Sequence, residues 1–462
     1  MRHFVYKSVA ELQHAADELG ARHVRFEADP DEVRRVLARP VRVGRFAAAN
    51  SMAIQPMEGC DGTLDGRPGE LTSRRYERFA HGGAGLIWFE ATAVREDGRA
   101  NIRQLWITRQ NVADFARLRA LLGDALVPIQ LTHSGRYSVP RRMIAYHNPH
   151  IDLKTGTPPE YPVISDSELE RLEDDYVAAA GLAIEAGFDA VDIKAVHGYL
   201  ISELLGAKIR AGRYGGPLEN RLRFMRNVIG KIRAAFGSRL MIAVRMNAFD
   251  GVPFDRDPAS GVGVPCDFKI PYCYGWGVDE SNPLLEDLSE VKQAIQCFRE
   301  CGVELLNISL GSPYYNPHIG RPFERPDEGN YEQPEHPLLG VDRHFRIAVE
   351  LQHTFPDLPI VGTGYSWLQK YAINAGAYNI ASGNIHFVGI GRGALAYPDF
   401  ARDALLKGEL DERRCCKTLT YCTYLMRQKN HPLGQFPTGC PPFDKEAYGE
   451  VIKLARQAAR GR

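Results

Sequence analysis

Three polar side chains follow short apolar runs, at places where strands are expected to end. Arg392 comes directly after residues 389–391 (Gly-Ile-Gly). This pattern suits a phosphate, because the glycines allow the backbone to approach it closely and the arginine can bind it through two hydrogen bonds. Lys194 follows residues 190–193, and its compact cation could hold a carboxylate or polarise a carbonyl. Tyr199, further along the same segment, is a plausible acid if it meets a basic carbanion. Arg392 thus suits a phosphate group, and Tyr199 is either an acid or an aromatic side chain that packs on the following helix.

The elements that would position these residues are short apolar strands alternating with longer amphipathic helices. Eight strands are predicted, at residues 52–55, 85–89, 126–131, 190–193, 240–245, 303–308, 359–362 and 387–390. Helices are predicted near residues 72–81, 112–122, 165–187 and 218–236, the third starting at a capping box formed by Ser165 and Glu168. Apolar strands separated by helices indicate an α/β fold with a parallel sheet, and eight repeats fit a closed (β/α)8 TIM barrel. The rival, a doubly wound open sheet, lacks a G-x-G-x-x-G turn after an early strand.

The strand pattern divides the chain into three parts. Residues 1–40 are predicted as an N-terminal extension, 41–408 as the barrel, and 409–462 as a cysteine-containing tail packed on the barrel. Two connections, 250–285 and 311–339, are long enough to be lids or binding loops and would lie at the C-terminal face of a barrel. The alternative is that both are surface loops without a function.

Composition restricts the class of protein. The chain has 462 residues, with 57 Lys plus Arg balanced by 57 Asp plus Glu. This balance argues against a nucleic-acid partner held by a basic face. No run approaches the ~18 apolar residues that span a membrane, and no apolar signal core follows the N-terminus. Nine cysteines scattered through the chain are typical of reduced thiols, so a cytoplasmic protein is expected.

Metal ligation is not predicted. His147 and His150 have a spacing found in metal sites, but no carboxylate partner is expected beside them. The tail contains Cys415, Cys416, Cys422 and Cys440. An iron–sulfur cluster needs closely spaced thiolates, and Thr418 stands where the second ligand should be. Cysteines packed on the barrel are therefore preferred over a cluster.

Six segments, in chain order, resemble the Old Yellow Enzyme family of FMN-dependent ene-reductases. They are residues 50–57 (NSMAIQPM), 82–94 (GGAGLI running into EATAV), 130–136 (QLTHSGR), 197–200 (HGYL), 214–221 (YGGPLENR) and 388–392 (VGIGR, followed by Pro398 and Asp399). The resemblance covers roughly residues 40–408. Within the family, it is to 2,4-dienoyl-CoA reductase-like barrels without the C-terminal nucleotide-binding domain, for which the tail is too short.

The resemblance implies bound FMN, with NADH or NADPH as reductant and an activated alkene as acceptor. It implies that Tyr199 protonates the alkene carbon and that His197 donates a hydrogen bond to the activating oxygen, with Lys194 as the third catalytic residue. The residues expected to bind the cofactor are Gln55, Pro56, Met57, Glu58, Ala91, Gln130, Arg245, Gly364, Gly391 and Arg392. Gln130 and Arg245 could donate hydrogen bonds to the pyrimidine edge of the flavin. The alternative for Gln130 is an amide satisfied within the core, and the alternative for Arg245 is a salt bridge inside the barrel mouth.

Two positions depart from the family pattern. Lys194 replaces the usual histidine, which favours an anionic or strongly polarised acceptor, unless Asp192 on the same strand face neutralises it. Glu58 replaces the usual threonine or cysteine, and a carboxylate there would repel a reduced flavin unless it is protonated or turned away.

The expected partner is a small molecule with an electron-withdrawing group. Neither a nucleic acid nor a membrane is expected, and a homo-oligomer is allowed. Two other functions stay open: amine demethylation or alcohol oxidation on the same flavin, and a flavin-free barrel that acts as a binding subunit.

Overall fold

A closed barrel of parallel strands forms the centre of the computed structural model, which describes residues 3–460. The strands are β1 (Val41–Val43), β2 (Phe46–Ala48), β3 (Met52–Ile54), β4 (Leu86–Ile87), β5 (Phe89–Ala93), β6 (Pro128–Thr132), β7 (Ala190–Ile193), β8 (Met241–Phe249), β9 (Phe254–Arg256), β10 (Gly263–Pro265), β11 (Leu305–Leu310), β12 (Ile360–Gly362) and β13 (Phe387–Ile390). The large sheet has the order β4-β3-β13-β12-β11-β8-β7-β6-β5, and its neighbouring strands are parallel. Its two end strands, β4 and β5, are separated in sequence only by Trp88, so one interrupted strand closes the barrel. This confirms the predicted (β/α)8 TIM barrel.

Helices alternate with the barrel strands along the chain and pack around the barrel. They are α1 (Val9–Glu18), α2 (Pro30–Leu37), α3 (Glu70–Ala80), α4 (Val112–Leu121), α5 (Pro149–Thr155), α6 (Asp166–Glu185), α7 (Leu200–Leu205), α8 (Leu218–Arg221), α9 (Arg223–Phe236), α10 (Ser289–Glu300), α11 (Pro317–Gly320), α12 (Pro337–Thr354), α13 (Ala372–Ala381), α14 (Arg392–Ala396), α15 (Phe400–Lys407), α16 (Tyr421–Arg427) and α17 (Lys445–Arg460). None of the helices within residues 3–460 is long and apolar enough to cross a membrane.

Some predicted boundaries were wrong, for local reasons. The helix predicted at 218–236 is divided into α8 and α9 at Leu222. The strand predicted at 85–89 continues to Ala93 through a polar stretch that gave no strand signal. At the start of α6, the Ser165 hydroxyl accepts a hydrogen bond from the Glu168 backbone N–H, as predicted. The Glu168 carboxylate binds Arg95 and Arg171 instead of returning to Ser165, so only half of the capping box forms.

The two-residue periodicity of the strands stacks the barrel interior in layers. An apolar floor, covered by the β1–β2 hairpin, includes Ala53, Leu86, Trp88, Leu126, Ala190, Met241, Ala243, Leu305, Val361 and Phe387. Two residues beyond a floor residue, the next inward side chain is polar on several strands. Gln55, Asp192, Arg245 and Asn307 make up this second layer. The strands therefore place a polar layer at their C-terminal ends, above a closed apolar base.

The C-terminal tail lies across the same end of the barrel. The Thr438 backbone N–H donates to the Gly59 carbonyl at 2.7 Å, and Asp444 pairs with Arg74 at 2.6 Å. Arg427 of α16 pairs with Asp327 at 2.7 Å. These contacts join the tail to segments that follow the first and sixth barrel strands.

Candidate active site

A large cavity opens at the C-terminal ends of the barrel strands, with about 1230 Å³ of empty space that is partly open to solvent. Every site residue proposed from the sequence lines it: Lys194, His197, Tyr199, Gln55, Pro56, Met57, Glu58, Ala91, Gln130, Arg245, Gly364, Gly391 and Arg392. The long connection that follows β11 contributes further residues, whereas residues 250–285 do not reach the cavity. Of the two long connections, only the one after β11 is therefore placed where a binding loop would have to be.

Two arginines at one end of the cavity present unsatisfied donors. Arg392 begins α14, and its Nη2 donates to the Pro322 carbonyl at 2.7 Å while Nη1 is buried without a partner. Arg321 lies in the connection after β11, and its three guanidinium nitrogens are buried without a hydrogen-bond partner. Its nearest carboxylate, Asp327, is 3.8 Å away. Burial, with the charge of Arg392, lowers the pKa of Arg321 to about 9. A dianionic phosphate would satisfy both side chains.

The glycines near these arginines have different roles. A Cβ on Gly389 would lie 2.1 Å from Gln55 Nε2 and 2.4 Å from the Gly362 carbonyl oxygen, so tight packing inside the barrel requires this glycine. Gly391 lines the cavity, and a Cβ there would meet only the Gln55 and Met57 side chains, at 3.7 Å and 3.9 Å. Gly391 thus leaves room for a ligand next to Arg392, while Gly389 serves the fold.

A buried carboxylate fixes the polar layer under the cavity. Asp192 accepts hydrogen bonds from Trp88 Nε1 at 2.8 Å, from Gln130 Nε2 at 2.6 Å and from the Arg245 backbone N–H at 2.6 Å. Burial raises the pKa of Asp192 to about 6. The alternative that Asp192 forms an ion pair with Lys194 is wrong, because donors from the two neighbouring strands and from Trp88 use its oxygens.

The Arg245 side chain faces the cavity without a strong partner. Its Nη1 is 3.5 Å from the Pro56 carbonyl oxygen, and its Nε is buried without a hydrogen bond. Within the described chain it takes part in no salt bridge, and burial lowers its pKa to about 10. This arrangement speaks against the salt-bridge alternative for Arg245. Gln55, beside it in the barrel, accepts a hydrogen bond from Asn307 Nδ2 at 2.7 Å and is held in place.

The lysine and the tyrosine proposed as catalytic are in direct contact. Lys194 Nζ lies 3.8 Å from the centre of the Tyr199 ring, which is a cation–π geometry. The Tyr199 hydroxyl is 3.1 Å from the Tyr314 hydroxyl, and the Tyr314 ring stacks on Tyr137 with centroids 4.2 Å apart. Burial raises the pKa of Tyr199 well above its ordinary value, so its phenol is protonated at neutral pH. Burial lowers the pKa of Lys194 to about 8, although the charge of Glu58 opposes this shift.

His197 is placed by an unusual backbone conformation. Its φ of 66° lies in the left-handed region, and Gly198 follows with φ 69°. This tight turn at the end of β7 brings the imidazole to the cavity, only three residues after Lys194. Burial and the charges of Arg245 and Lys194 keep the pKa of His197 well below its ordinary value. The imidazole is therefore neutral and can donate one hydrogen bond.

Glu58 is held by amides. Asn101 Nδ2 donates to its Oε1 at 2.8 Å, and Gln104 Nε2 lies 3.5 Å from its Oε2. Burial raises the pKa of Glu58 to about 7, and the charge of Lys194 limits the rise. The neutral form of this carboxyl is thus well populated near pH 7, which removes much of the repulsion expected towards a reduced flavin.

The potential metal ligands do not converge. Within residues 3–460, no three or more His, Cys, Asp or Glu side chains are grouped so as to hold a metal ion. His147 does have a carboxylate partner, contrary to the expectation, because its Nδ1 is 2.7 Å from Asp152 Oδ2. That carboxylate also binds Arg136, so it is already used in the protein interior. The nine cysteines are all free.

The residues present fit FMN. Four cationic side chains line the cavity, namely Lys194, Arg245, Arg321 and Arg392, against one carboxyl group, Glu58. Three of the four carry buried N–H groups without a partner. Such a set suits a ligand that has both a phosphate and an electron-accepting ring. Arg321 and Tyr314 were not among the predicted site residues, although the connection that contains them, 311–339, was predicted as a lid or binding loop; it has no periodic motif that would single them out.

Comparison with known protein families and sequences gives concordant matches. A model of the NADH:flavin oxidoreductase / NADH oxidase family matches residues 36–260. NADPH dehydrogenase from Geobacillus sp. (strain WCH70) is 31% identical over 261 residues, which are 51% of this chain and 76% of that protein. NADPH dehydrogenase from Bacillus subtilis (strain 168) is 32% identical over 238 residues, which are 50% of this chain and 68% of that protein.

Solved structures show the same fold at lower identity. An old yellow enzyme homologue from Zymomonas mobilis has a TM-score of 0.57 at 22% identity, covering 81% of this chain and 94% of that one. The old yellow enzyme from Trypanosoma cruzi has a TM-score of 0.58 at 18% identity, covering 80% and 92%. A 2-naphthoyl-CoA reductase has a TM-score of 0.61 at 17% identity, but this chain spans only 52% of its length.

Proposed function

We propose that this chain, which belongs to the NADH:flavin oxidoreductase / NADH oxidase family, reduces an alkene activated by an electron-withdrawing group. The resemblance to Old Yellow Enzyme is confirmed, and the protein is an FMN-dependent NAD(P)H oxidoreductase of the ene-reductase type. When bound, FMN supplies hydride transfer between the nicotinamide and the acceptor. The roles of this chain's own residues and the class of acceptor are the proposal.

Arg321 and Arg392 bind the FMN phosphate, and Gln130 and Arg245 donate to the pyrimidine edge of the ring. The support for the first pair is the set of buried guanidinium N–H groups that have no partner in the protein. Arg245 supports the second, because its Nε is also unsatisfied and its backbone is fixed by Asp192. The remaining residues proposed as cofactor contacts form the walls of the cavity: Gln55, Pro56, Met57, Glu58, Ala91, Gly364 and Gly391.

Tyr199 donates the proton to the acceptor carbon. Two neighbours stabilise the phenolate that this transfer leaves: the Tyr314 hydroxyl at 3.1 Å, and Lys194 Nζ at 3.8 Å from the ring centre. The neutral His197 donates a hydrogen bond to the activating oxygen of the acceptor. Lys194 adds a cation beside that oxygen, which gains negative charge as the alkene is reduced.

The observation that carries this function is the convergence of a protonated phenol, a neutral imidazole and the orphaned guanidinium groups on one cavity. The test is a visible spectrum of the purified protein, followed by anaerobic titration with NADH and NADPH and then by a panel of alkenes. Absorbance near ~450 nm that is bleached by the nicotinamide and restored by an enone is expected.

Other results identify the alternatives. A reduced protein that no alkene reoxidises, but which forms by oxidation of an amine or alcohol, would favour the oxidative function. A colourless protein that FMN cannot reconstitute would favour a binding subunit.

Light scattering on the same sample tests for the homo-oligomer. A cytoplasmic location is proposed because the nine thiols are unpaired.

A further inference from the structure

A second cavity adjoins the first. It contains about 1070 Å³ of empty space, partly open to solvent. Glu58, Tyr314 and Met426 line both cavities, so a single layer of side chains separates them. A molecule that occupied both cavities would therefore contact Glu58, Tyr314 and Met426. The proposed function uses nothing else in this second cavity.

The lining of the second cavity is strongly cationic. Arg136, Arg142, Lys154, Arg427 and Lys429 contribute to it, whereas Glu58 is its one acidic residue in the described chain. Three of the five cations are already paired. Arg136 binds Asp152 and Glu203, Lys154 binds Asp255, and Arg427 binds Asp327.

Two cations at this cavity are left without a carboxylate. Among the described residues the Arg142 side chain makes one hydrogen bond, from Nη1 to the Gly156 carbonyl at 3.1 Å, and has no salt bridge. Lys429 is exposed and likewise has no ion pair within residues 3–460. The single carboxyl in the lining, Glu58, is partly neutral because burial raises its pKa to about 7. The cavity thus carries uncompensated positive charge.

A buried hydroxyl in the same wall is unsatisfied. Ser138 is only 2% exposed, and its Oγ has no hydrogen-bond partner. A buried hydroxyl without a partner costs free energy, so such a group calls for a ligand or a water molecule. Ser138 lines the second cavity, where its O–H could donate to an anionic oxygen.

We propose that the second cavity binds a phosphate or carboxylate group carried by a small molecule whose reactive part lies in the first cavity. Arg142, Lys429 and Ser138 are its recognition residues. This inference rests on the proposed function, since it needs a redox reaction in the first cavity. Two molecules with this chemistry meet the enzyme in turn: the nicotinamide reductant with its phosphates, and an acceptor with an acidic tail.

The test compares ligands with and without an anionic group on the holoenzyme. Flavin reduction by NADPH is compared with reduction by 1-benzyl-1,4-dihydronicotinamide, which has no phosphate, in rapid-mixing experiments. Reoxidation is compared between an enone with a remote carboxylate and its methyl ester. The variants are Arg142→Gln, Lys429→Gln, their combination and Ser138→Ala, and the matched control is Lys453→Gln on the exposed side of α17.

The double variant is expected to weaken the apparent Kd of an anionic ligand about tenfold, with little change for its uncharged analogue. Loss for NADPH alone assigns the cavity to the reductant, and loss for the carboxylate alone assigns it to the acceptor. Calorimetric titration of the wild-type protein with inorganic pyrophosphate should show binding that the double variant loses. Unchanged constants in both comparisons, with no pyrophosphate binding, overturn the inference.

Failure of the proposed function gives a different result. If the wild-type protein is colourless or is not reduced by 1-benzyl-1,4-dihydronicotinamide, the redox assignment fails, whatever the variants do. The pyrophosphate titration needs no turnover and still decides whether the cavity holds an anion. Lys453→Gln, which removes one positive charge elsewhere, must leave every constant unchanged.

Discussion

Replacement of Arg321 by methionine is expected to weaken FMN binding and, at the same time, to stabilise the protein without FMN. The buried guanidinium has no hydrogen-bond partner and lies 3.8 Å from its nearest carboxylate. Each charge-assisted hydrogen bond that it forms with a phosphate contributes about 1.5–3 kcal/mol. Losing one such bond corresponds to a Kd for FMN that is about 10- to 150-fold higher.

The opposite effect on the apoprotein follows from the same geometry. Burial without a phosphate, and next to it repulsion from the Arg392 guanidinium, lower the pKa of Arg321 to about 9. Methionine fills a similar volume without a charge, so the Tm of the apoprotein is expected to rise by about 1–3 °C. The difference in Tm between the holoprotein and the apoprotein should therefore decrease, because the apoprotein becomes more stable and FMN stabilises the holoprotein less.

The assay is fluorescence titration of the apoprotein with FMN, together with thermal unfolding of both forms. Arg299→Met is the control, because Arg299 is partly exposed on α10 and pairs with Asp357 far from the cavity. A Kd for FMN that stays within twofold of the wild type would refute the assignment of Arg321 to the phosphate. A Tm of the apoprotein that falls would show that Arg321 supports the fold instead.

Three further predictions concern the catalytic residues Tyr199 and Lys194 and the cavity residue Glu58. Tyr199→Phe should leave flavin reduction by NAD(P)H nearly unchanged and slow alkene reduction about 10²-fold or more; equal loss in both half-reactions would contradict its role as the acid. Lys194→His should reduce the preference for carboxylate over neutral enones, and an unchanged ranking in an acceptor panel would contradict charge recognition by the lysine. Because the pKa of Glu58 is raised to about 7 from its ordinary value of 4.5, the folded protein holds this proton more tightly than the unfolded chain, so stability falls as pH rises from about 4.5 to 7. In Glu58→Gln, the decrease in the free energy of unfolding between pH 5 and pH 8 should be smaller than in the wild type by up to about 3 kcal/mol. Denaturant unfolding of both apoproteins at the two pH values measures this difference. Equal stabilities of variant and wild type at both pH values would contradict the prediction.

The part of the site that strands carry could be predicted from the sequence. Motifs at the ends of barrel strands identified Gln130, Lys194, Arg245 and Arg392, since in a parallel barrel every strand end meets at one face. Alternation also placed Asp192 correctly on the inner face of its strand. It could not show that Gln130 of the neighbouring strand β6, together with Trp88, would donate hydrogen bonds to that carboxylate in place of Lys194.

The rest of the site comes from segments whose conformation no local pattern determines. Arg321 and Tyr314 lie in an irregular connection that is positioned by contacts with distant parts of the chain. One of these contacts joins Arg427 of the tail to Asp327, 100 residues earlier in sequence. Sequence periodicity carries information only about residues within one helix or strand. The positions of Arg321 and Tyr314 depend on contacts between distant segments, so they become visible only in the three-dimensional structure.

The position of the tail has a consequence for how FMN enters and leaves. Cys422, Thr423, Met426 and Thr438 of the tail line the cavity, and the Thr438 backbone N–H donates to the carbonyl of Gly59, which follows the first barrel strand. The cofactor and the tail therefore stabilise each other by thermodynamic linkage, so that occupancy of the cavity protects the tail from local unfolding. Opening of the tail is therefore expected to speed the release of FMN, and substitutions that loosen the tail far from any flavin contact are expected to change cofactor exchange without changing the binding groups.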